Sequence, residues 1–225
     1  MSISRLCKSR LPFDLSLYLI ADRPSFSDEH LFFSRIKEAV RGGVSCVQFR
    51  DRRNDFITTL KTANTLKSIL GKTPLFINTL ESTKLARAVE AEGIFLEERL
   101  DPKAIRKLLG ESVILGIPVE KIEDAISVEQ NCEIDYLSVK LFPSKQTSLK
   151  NDILWGIEGL RKIRALSTRR VVAIGGLQLD SVESVYRELR PDDGLAMAGA
   201  LMRESQPYQI AKKIQDIRKK TLEVI

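Results

Sequence analysis

One short pattern recurs eight times along this chain. Each copy has an apolar, β-branched run of about six residues, a polar connection and then a stretch with helical periodicity. The runs have the length and residue types of β-strands. They cover residues 15–22, 44–51, 74–79, 93–98, 113–119, 135–142, 170–176 and 194–201. A chain built this way is constrained to alternate strands with helices.

The segments between the runs carry helix start and stop signals. Residues 28–43 and 180–189 begin on Asp and place apolar residues three and four apart, and several such segments end near Gly. Strands that alternate with helices need right-handed crossovers and form a parallel sheet. Eight units in 225 residues predict a single-domain α/β fold, the (β/α)8 or TIM barrel, over residues 15–225 with a lead-in at 1–14.

Composition excludes several other classes. The chain is 43% hydrophobic and 29% charged, which suits one stable core. Without an apolar run near the roughly 18 residues that span a bilayer, we expect no membrane partner. The first residues lack the apolar segment of a signal peptide. Cys7, Cys46 and Cys132 are odd in number and indicate neither a disulfide framework nor a zinc site, so we expect a cytoplasmic protein.

The net charge of +6 raises the question of nucleic-acid binding. The positive charges are spread over many predicted helices, and the densest cluster, residues 218–220, lies on the last of them. We therefore expect no nucleic-acid partner. A small anionic ligand at the mouth of the barrel explains the charge better.

The second run carries the most informative polar residues. Because side chains alternate along a strand, Gln48 and Arg50 share the face predicted to point at the barrel axis. Arg52 follows at the carboxyl end, where barrel enzymes place their sites. Two guanidinium groups there can bind a polyanion through forked hydrogen bonds. The alternative is that Arg50 pairs with a carboxylate such as Asp22 or Asp51 and only connects loops.

The seventh and eighth runs contain glycines at their carboxyl ends. Gly175 and Gly176 close the seventh run, and Gly199 lies in the eighth. Glycine lets a ligand approach backbone N–H groups, and the loops after these two strands are the usual phosphate site of the fold. Tight turns between strand and helix also use glycine, so this interpretation stays open beside phosphate binding.

The ordered set of motifs resembles thiamine-phosphate synthase and its sister family, the thiazole tautomerases. The stretches that carry the resemblance are LYLIAD, GGVSCVQFRDR, FIN, EAEGIFLEE, DYLSV, FPS, GIEGLRKIRAL and VVAIGGLQLDSV. The resemblance implies a (β/α)8 barrel and a transferase of thiamine biosynthesis. Such an enzyme joins hydroxymethylpyrimidine diphosphate to thiazole phosphate with Mg²⁺ and releases pyrophosphate, and a homo-oligomer is compatible with it.

The resemblance also assigns expected roles to individual residues. Gln48, Arg50 and Arg52 match the family's pyrophosphate-binding Q-x-R-x-K, with Arg in place of the final Lys. Asn78 matches an Asn that meets the pyrimidine. A substrate-binding loop falls on Ser144 and Lys145. The glycines of the seventh and eighth runs complete the expected substrate site, in which Arg50 and Arg52 act catalytically.

The metal ligands of the family are changed in this chain. Thr79 stands where the family has an Asp that holds Mg²⁺, and Leu100 stands at the second carboxylate. The carboxylates close enough to replace them are Glu97, Glu98 and Asp101, of which Glu98 and Asp101 are the predicted ligands. Since Mg²⁺ prefers hard oxygen donors, these changes weaken the expectation of the metal.

The same changes support a second interpretation, a barrel that binds a phosphorylated ligand without catalysis. Thr79, Leu100 and Pro118 all replace polar residues of the family. A third interpretation is thiazole tautomerisation, a proton transfer. The tautomerase His falls here on Glu120, which could move protons if it were buried, and the single His, His30, lies in the first predicted helix.

Lys140 supports a fourth interpretation. It lies in KLFP at the end of the sixth run, a setting similar to that of the Schiff-base lysine in small aldolases of this fold. Those aldolases need a carboxylate from the second strand, where Cys46, Gln48 and Arg50 point inward instead. Lys140 is otherwise expected to act as an additional catalytic contact for an anion, or as an ion-paired barrel residue.

Overall fold

The computed structural model describes residues 14–97, 100–130, 133–143, 153–203 and 205–223. Eight parallel strands form a closed barrel in which each strand pairs with its neighbours in chain order, and β8 pairs with β1. The strands are β1 (Leu17–Asp22), β2 (Cys46–Asp51), β3 (Leu75–Thr79), β4 (Gly93–Phe95), β5 (Ile114–Pro118), β6 (Tyr136–Lys140), β7 (Arg170–Ile174) and β8 (Gly194–Met197). The predicted (β/α)8 barrel is confirmed.

Helices follow the strands in alternation. They are α1 (Glu29–Arg41), α2 (Phe56–Leu70), α3 (Ser82–Ala88), α4 (Pro102–Leu109), α5 (Ile122–Gln130), α6 (Gly156–Leu166), α7 (Val182–Tyr186), α8 (Gly199–Met202) and α9 (Pro207–Leu222). Asp28 caps α1 as predicted, accepting a hydrogen bond from the Leu31 N–H at 3.1 Å. For the segment 180–189 the predicted start at Asp180 is wrong, since Ser181 is the N-cap residue and α7 begins at Val182.

All eight strands are shorter than the predicted runs, and two of them are only half as long. The run at 93–98 pairs only over Gly93–Phe95. The run at 194–201 pairs over Gly194–Met197, and Gly199–Met202 are helical. Gly, Ala and Leu after Ala198 lack the β-branched side chains that favour a strand, and Ala and Leu are strong helix formers.

The side chains of β2 alternate as predicted. Val47 and Phe49 are fully buried against the helices, whereas Cys46 is buried among the residues that fill the barrel interior. Large aromatic rings fill much of that interior, and Phe76 stacks on Tyr136 with ring centroids 6.0 Å apart. Glycine in β5 makes room for them, because a Cβ at Gly116 would overlap the Tyr136 ring. The barrel is therefore a packed core closed beneath its mouth.

One ionic arrangement recurs at the amino ends of β4, β6 and β8. The acidic residue just before each of these strands accepts a hydrogen bond from a backbone N–H of the strand that precedes it in the chain. The same acidic residue pairs with a cation on the helix that leads into that preceding strand. The three sets are Glu92 with the Leu75 N–H and Lys67, Asp135 with the Leu115 N–H and Arg106, and Asp193 with the Val171 N–H and Arg164. These contacts stabilise the end of the barrel opposite the mouth.

None of the helices in the described ranges is long and apolar enough to cross a membrane. Of the three cysteines, Cys46 is buried with a free thiol. Cys7 and Cys132 lie outside the described residues, as does most of the predicted lead-in.

Candidate active site

The floor of the mouth is a hydrogen-bonded row of buried side chains. The Tyr18 hydroxyl donates to Gln48 Oε1 at 3.0 Å and lies 3.1 Å from the Tyr136 hydroxyl. Because the Tyr18 proton is used on Gln48, Tyr136 is the donor in the second contact. Burial raises the pKa of both phenols well above the ordinary value, so they remain neutral donors. The row orients Gln48 with its amide oxygen towards the floor.

Above this floor, the Glu97 carboxylate contacts three side chains that lie at the carboxyl ends of β2 and β3. Its Oε2 accepts a hydrogen bond from Arg52 Nη1 at 2.7 Å, and its Oε1 accepts one from Asn78 Nδ2 at 2.9 Å. Arg50 Nε approaches Oε1 at 3.9 Å. Parallel pairing aligns Arg50 with Asn78, which brings these side chains to one side of the mouth. The guanidiniums predicted from β2 therefore lie together, with 38% of the Arg50 side chain and 29% of the Arg52 side chain exposed.

The structural role considered for Arg50 is only partly found. Arg50 Nη1 lies 4.0 Å from Asp22 Oδ1, the outer limit of an ion pair. Asp51 instead accepts hydrogen bonds from the N–H groups of Arg53 and Asn54 and so shapes the loop after β2. Arg50 is thus held loosely at the mouth.

A cavity of about 260 Å³ opens beside Glu97, between the loops that follow β3 and β4. Arg52 and Asn78 line one side, and Thr79 and Leu100 lie at the positions expected for metal carboxylates. Thr79 Oγ1 is buried and has no hydrogen-bond partner among the described residues. Leu100 is 42% exposed. The cavity is therefore lined by polar and cationic side chains on one side and by the apolar side chain of Leu100 at its rim.

The donor set of the described residues does not fit a magnesium ion. Asp101, a predicted ligand, caps α4 by accepting a hydrogen bond from the Lys103 N–H at 3.0 Å. Both oxygens of Glu97 are already bonded to cationic or amide donors. Among the described residues, no group of three His, Cys, Asp or Glu side chains is placed to hold a metal. Glu98, the other predicted ligand, lies outside the described residues.

The glycines after β7 adopt left-handed backbone conformations, with φ of +90° at Gly175 and +59° at Gly176. A Cβ at Gly176 would lie 2.5 Å from the carbonyl oxygen of Pro143, and one at Gly175 would lie 2.9 Å from Lys140 Cγ. The turn and its packing thus account for both glycines. Both lie at the carboxyl end of β7, as predicted.

Gly199 is different, because the atoms nearest to a Cβ there would belong to the Arg203 side chain, at 3.6 Å or more. Arg203 is an exposed cation that the sequence analysis did not single out. The residue lies beyond β8, and only the turn of α8 brings it next to Gly199. No sequence signal marks such a contact before the helix is known. The remaining predicted anion contacts, Ser144 and Lys145, lie outside the described residues.

Lys140 ends β6 on the strand face of Ser138, which points to the barrel interior. Its side chain is partly buried and packs against the turn at Gly175. The inward residues of β2 include no carboxylate, so the partner required by the aldolase interpretation is absent there. Glu120 and His30 are both exposed, and the burial that proton transfer by Glu120 would require is not found.

Known proteins of similar sequence share one description. A family model described as thiamine monophosphate synthase matches residues 17–199. The thiamine-phosphate synthase of Azorhizobium caulinodans is 34% identical over 211 residues, which cover 92% of this chain and 96% of that protein. The enzyme of the same name from Campylobacter jejuni is 32% identical over 212 residues, 90% of this chain and 93% of that protein.

A solved structure gives the same result in three dimensions. The thiamine phosphate pyrophosphorylase of Pyrococcus furiosus superimposes with a TM-score of 0.79 at 26% sequence identity, covering 92% of this chain and 97% of that one.

Proposed function

Because this chain belongs to the thiamine monophosphate synthase family, we propose that it is a transferase of thiamine biosynthesis that joins hydroxymethylpyrimidine diphosphate to thiazole phosphate. The observation that carries the proposal is the convergence of Arg50, Arg52 and Asn78 at the carboxyl ends of β2 and β3, beside a cavity of about 260 Å³. This arrangement offers two guanidiniums to a diphosphate and an amide to a heterocycle.

The reaction breaks the bond between the pyrimidine methylene carbon and the diphosphate oxygen. Both electrons of that bond leave with the oxygen as inorganic pyrophosphate, and the methylene carbon becomes positive. The lone pair of the thiazole nitrogen then forms the new C–N bond of thiamine phosphate. The protein must therefore stabilise negative charge that develops on the leaving group.

Arg50 and Arg52 are the groups suited to that task. A guanidinium presents parallel N–H donors that match two phosphoryl oxygens, and hydrogen bonds to charged groups contribute roughly 1.5–3 kcal/mol each. The Gln48 amide nitrogen, fixed from below by Tyr18, adds a neutral donor. Asn78, which Glu97 holds through a hydrogen bond of 2.9 Å, is the amide that we assign to the pyrimidine.

The second substrate fits the other side of the mouth. Gly199 leaves space for a phosphate beside the backbone after β8, and the turn at Gly175 and Gly176 lies at the carboxyl end of the neighbouring β7. Arg203 supplies positive charge beside Gly199. Lys140 ends β6 next to the turn at Gly175 and is placed to contact an anion there. This side therefore suits the thiazole phosphate.

A barrel that binds these ligands without turnover is the second candidate. The specific observation that favours it is that two uncharged residues, Thr79 and Leu100, line the cavity where the family carries metal-binding carboxylates. The two candidates share the ligand class and differ only in whether thiamine phosphate is formed.

The test is an assay of the purified full chain with both substrates, in MgCl₂ and in EDTA, with thiamine phosphate followed as fluorescent thiochrome. We expect product from the wild type. We expect the Arg50→Ala variant to bind pyrophosphate at least about tenfold more weakly, in line with the loss of one charge-assisted contact. Arg53→Ala is the matched control, since Arg53 is an exposed arginine three positions further along the chain, in the loop after β2.

Absence of product in both media, with pyrophosphate still bound, would support the binding-only barrel. Unchanged affinity in Arg50→Ala would mean that this guanidinium has a structural role.

A further inference from the structure

We propose that the guanidiniums of Arg50 and Arg52, anchored on Glu97, take the place of a divalent cation, so that this chain binds the diphosphate of its substrate without Mg²⁺. The inference rests on the proposed function, because it concerns the same diphosphate. It adds that Glu97 is a positioning residue that holds the cations and not a metal ligand.

The first support is the bonding of Glu97. One carboxylate oxygen accepts from Arg52 at 2.7 Å, and the other accepts from Asn78 at 2.9 Å with Arg50 at 3.9 Å. A magnesium ion on either oxygen would share that oxygen with a bound donor and would lie next to two positive guanidiniums. Like charges at such separations repel strongly in a partly buried site. Glu97 is thus matched to cationic side chains.

The second support is that neutral side chains, Thr79 and Leu100, stand at the two cavity positions expected for metal carboxylates. Thr79 offers a neutral hydroxyl, and its Oγ1 is buried in a side chain that is only 7% exposed. Leu100 offers no donor at all. Asp101 is occupied as the cap of α4. Mg²⁺ in proteins is usually held by one or two carboxylates together with substrate phosphates. Besides Glu97, the described lining of the cavity contains the carboxylate of Glu81, which is paired with Lys84 at 3.1 Å.

The third support is the identity of residue 52. A lysine presents a point charge, whereas arginine presents a planar fork that can bind one anion while still bonded to another. Arg52 contacts Glu97 through Nη1 and remains partly exposed at the mouth. It can therefore keep the contact that orients it and still donate to a diphosphate oxygen. Such a residue supplies fixed positive charge where a metal would otherwise supply it.

The experiment is calorimetric titration of the full chain with inorganic pyrophosphate, once in EDTA and once in excess MgCl₂. We expect the two dissociation constants to agree within about threefold, well under the tenfold that corresponds to about 1.4 kcal/mol. We expect Arg52→Ala to weaken binding in EDTA at least about tenfold. Arg53→Ala, one residue further along the loop and exposed, serves as the control and should bind as the wild type does.

Binding that requires MgCl₂ would overturn the inference while leaving the proposed function intact. An unchanged dissociation constant for pyrophosphate in EDTA in the Arg52→Ala variant would also overturn the inference. The thiochrome assay separates the two proposals: pyrophosphate bound in EDTA without any thiamine phosphate in either medium would refute the transferase and leave the metal-free anion site standing. No pyrophosphate binding in either medium would overturn both.

Discussion

The hydroxyl of Thr79 gives a stability prediction of unusual sign. This residue ends β3, its side chain is 7% exposed, and Oγ1 has no hydrogen-bond partner among the described residues. A polar group taken out of water without a partner costs about 1–3 kcal/mol. Replacement by valine removes that cost and keeps the branched shape.

The expected gain follows from these terms. The Thr79→Val variant places a methyl group where the hydroxyl was, in a strand that favours β-branched apolar residues. Taking the lower half of the range, we expect the free energy of unfolding to rise by about 1 kcal/mol. For a domain of this size that change raises Tm by about 2–4 °C. Most buried substitutions act in the opposite direction.

Urea unfolding followed by circular dichroism measures the effect, with Thr59→Val as the matched control. Thr59 is 3% exposed, but its Oγ1 donates to the Phe56 carbonyl at 3.0 Å. Removal of that satisfied hydroxyl should lower the free energy of unfolding by about 0.5–1.5 kcal/mol. If Thr79→Val is destabilised as much as Thr59→Val, the hydroxyl has a partner and the reasoning is wrong.

Three further outcomes are expected. Asp193→Asn should lower the free energy of unfolding by about 3 kcal/mol in urea titration, because it leaves the buried Arg164 without its charge partner, and no loss would contradict this account. Burial acts to raise the pKa of Glu129, but hydrogen bonds from Ser167 and Thr168 outweigh it and hold that pKa below its ordinary value. The stability that this carboxylate contributes is therefore present above about pH 4.3 and is lost as the pH falls through the folded-state pKa. Glu129→Gln should flatten this acid dependence of Tm. Gly199→Ala should keep Tm and weaken inorganic phosphate binding in calorimetry, and unchanged binding would remove Gly199 from the site.

The barrel could be predicted from the sequence because each strand repeats one signal. Apolar and β-branched runs of strand length separated by helical periodicity leave few topologies, and alternation along β2 correctly separated Phe49 from Gln48. Strand ends were harder, since they depend on where pairing stops. Gly199 and its neighbours became helical because no partner residue continues the ladder beyond Met197 and the local sequence favours a helix.

Contacts within the site were less predictable because they join distant parts of the chain. Glu97 meets Arg52 across 45 positions, and Tyr18 meets Gln48 across 30. Alternation shows that such residues point inward but gives no distance between them. The role of Asp101 was readable, however, since an Asp directly before a Pro at the start of an apolar, periodic segment is a capping signal. That signal argues against a ligand role without any structure.

The glycines at the mouth carry different information about a ligand, although they belong to similar motifs. Gly175 and Gly176 have positive φ, and any side chain at Gly176 would meet the backbone at Pro143, so the fold requires glycine there with or without a ligand. Gly199 has neither constraint, because its nearest neighbour is the flexible side chain of Arg203. The start of α8 would accept an alanine at this position, and the glycine found there leaves open space beside the cation Arg203. The phosphate interpretation therefore depends more on Gly199 than on the GG pair that first suggested it.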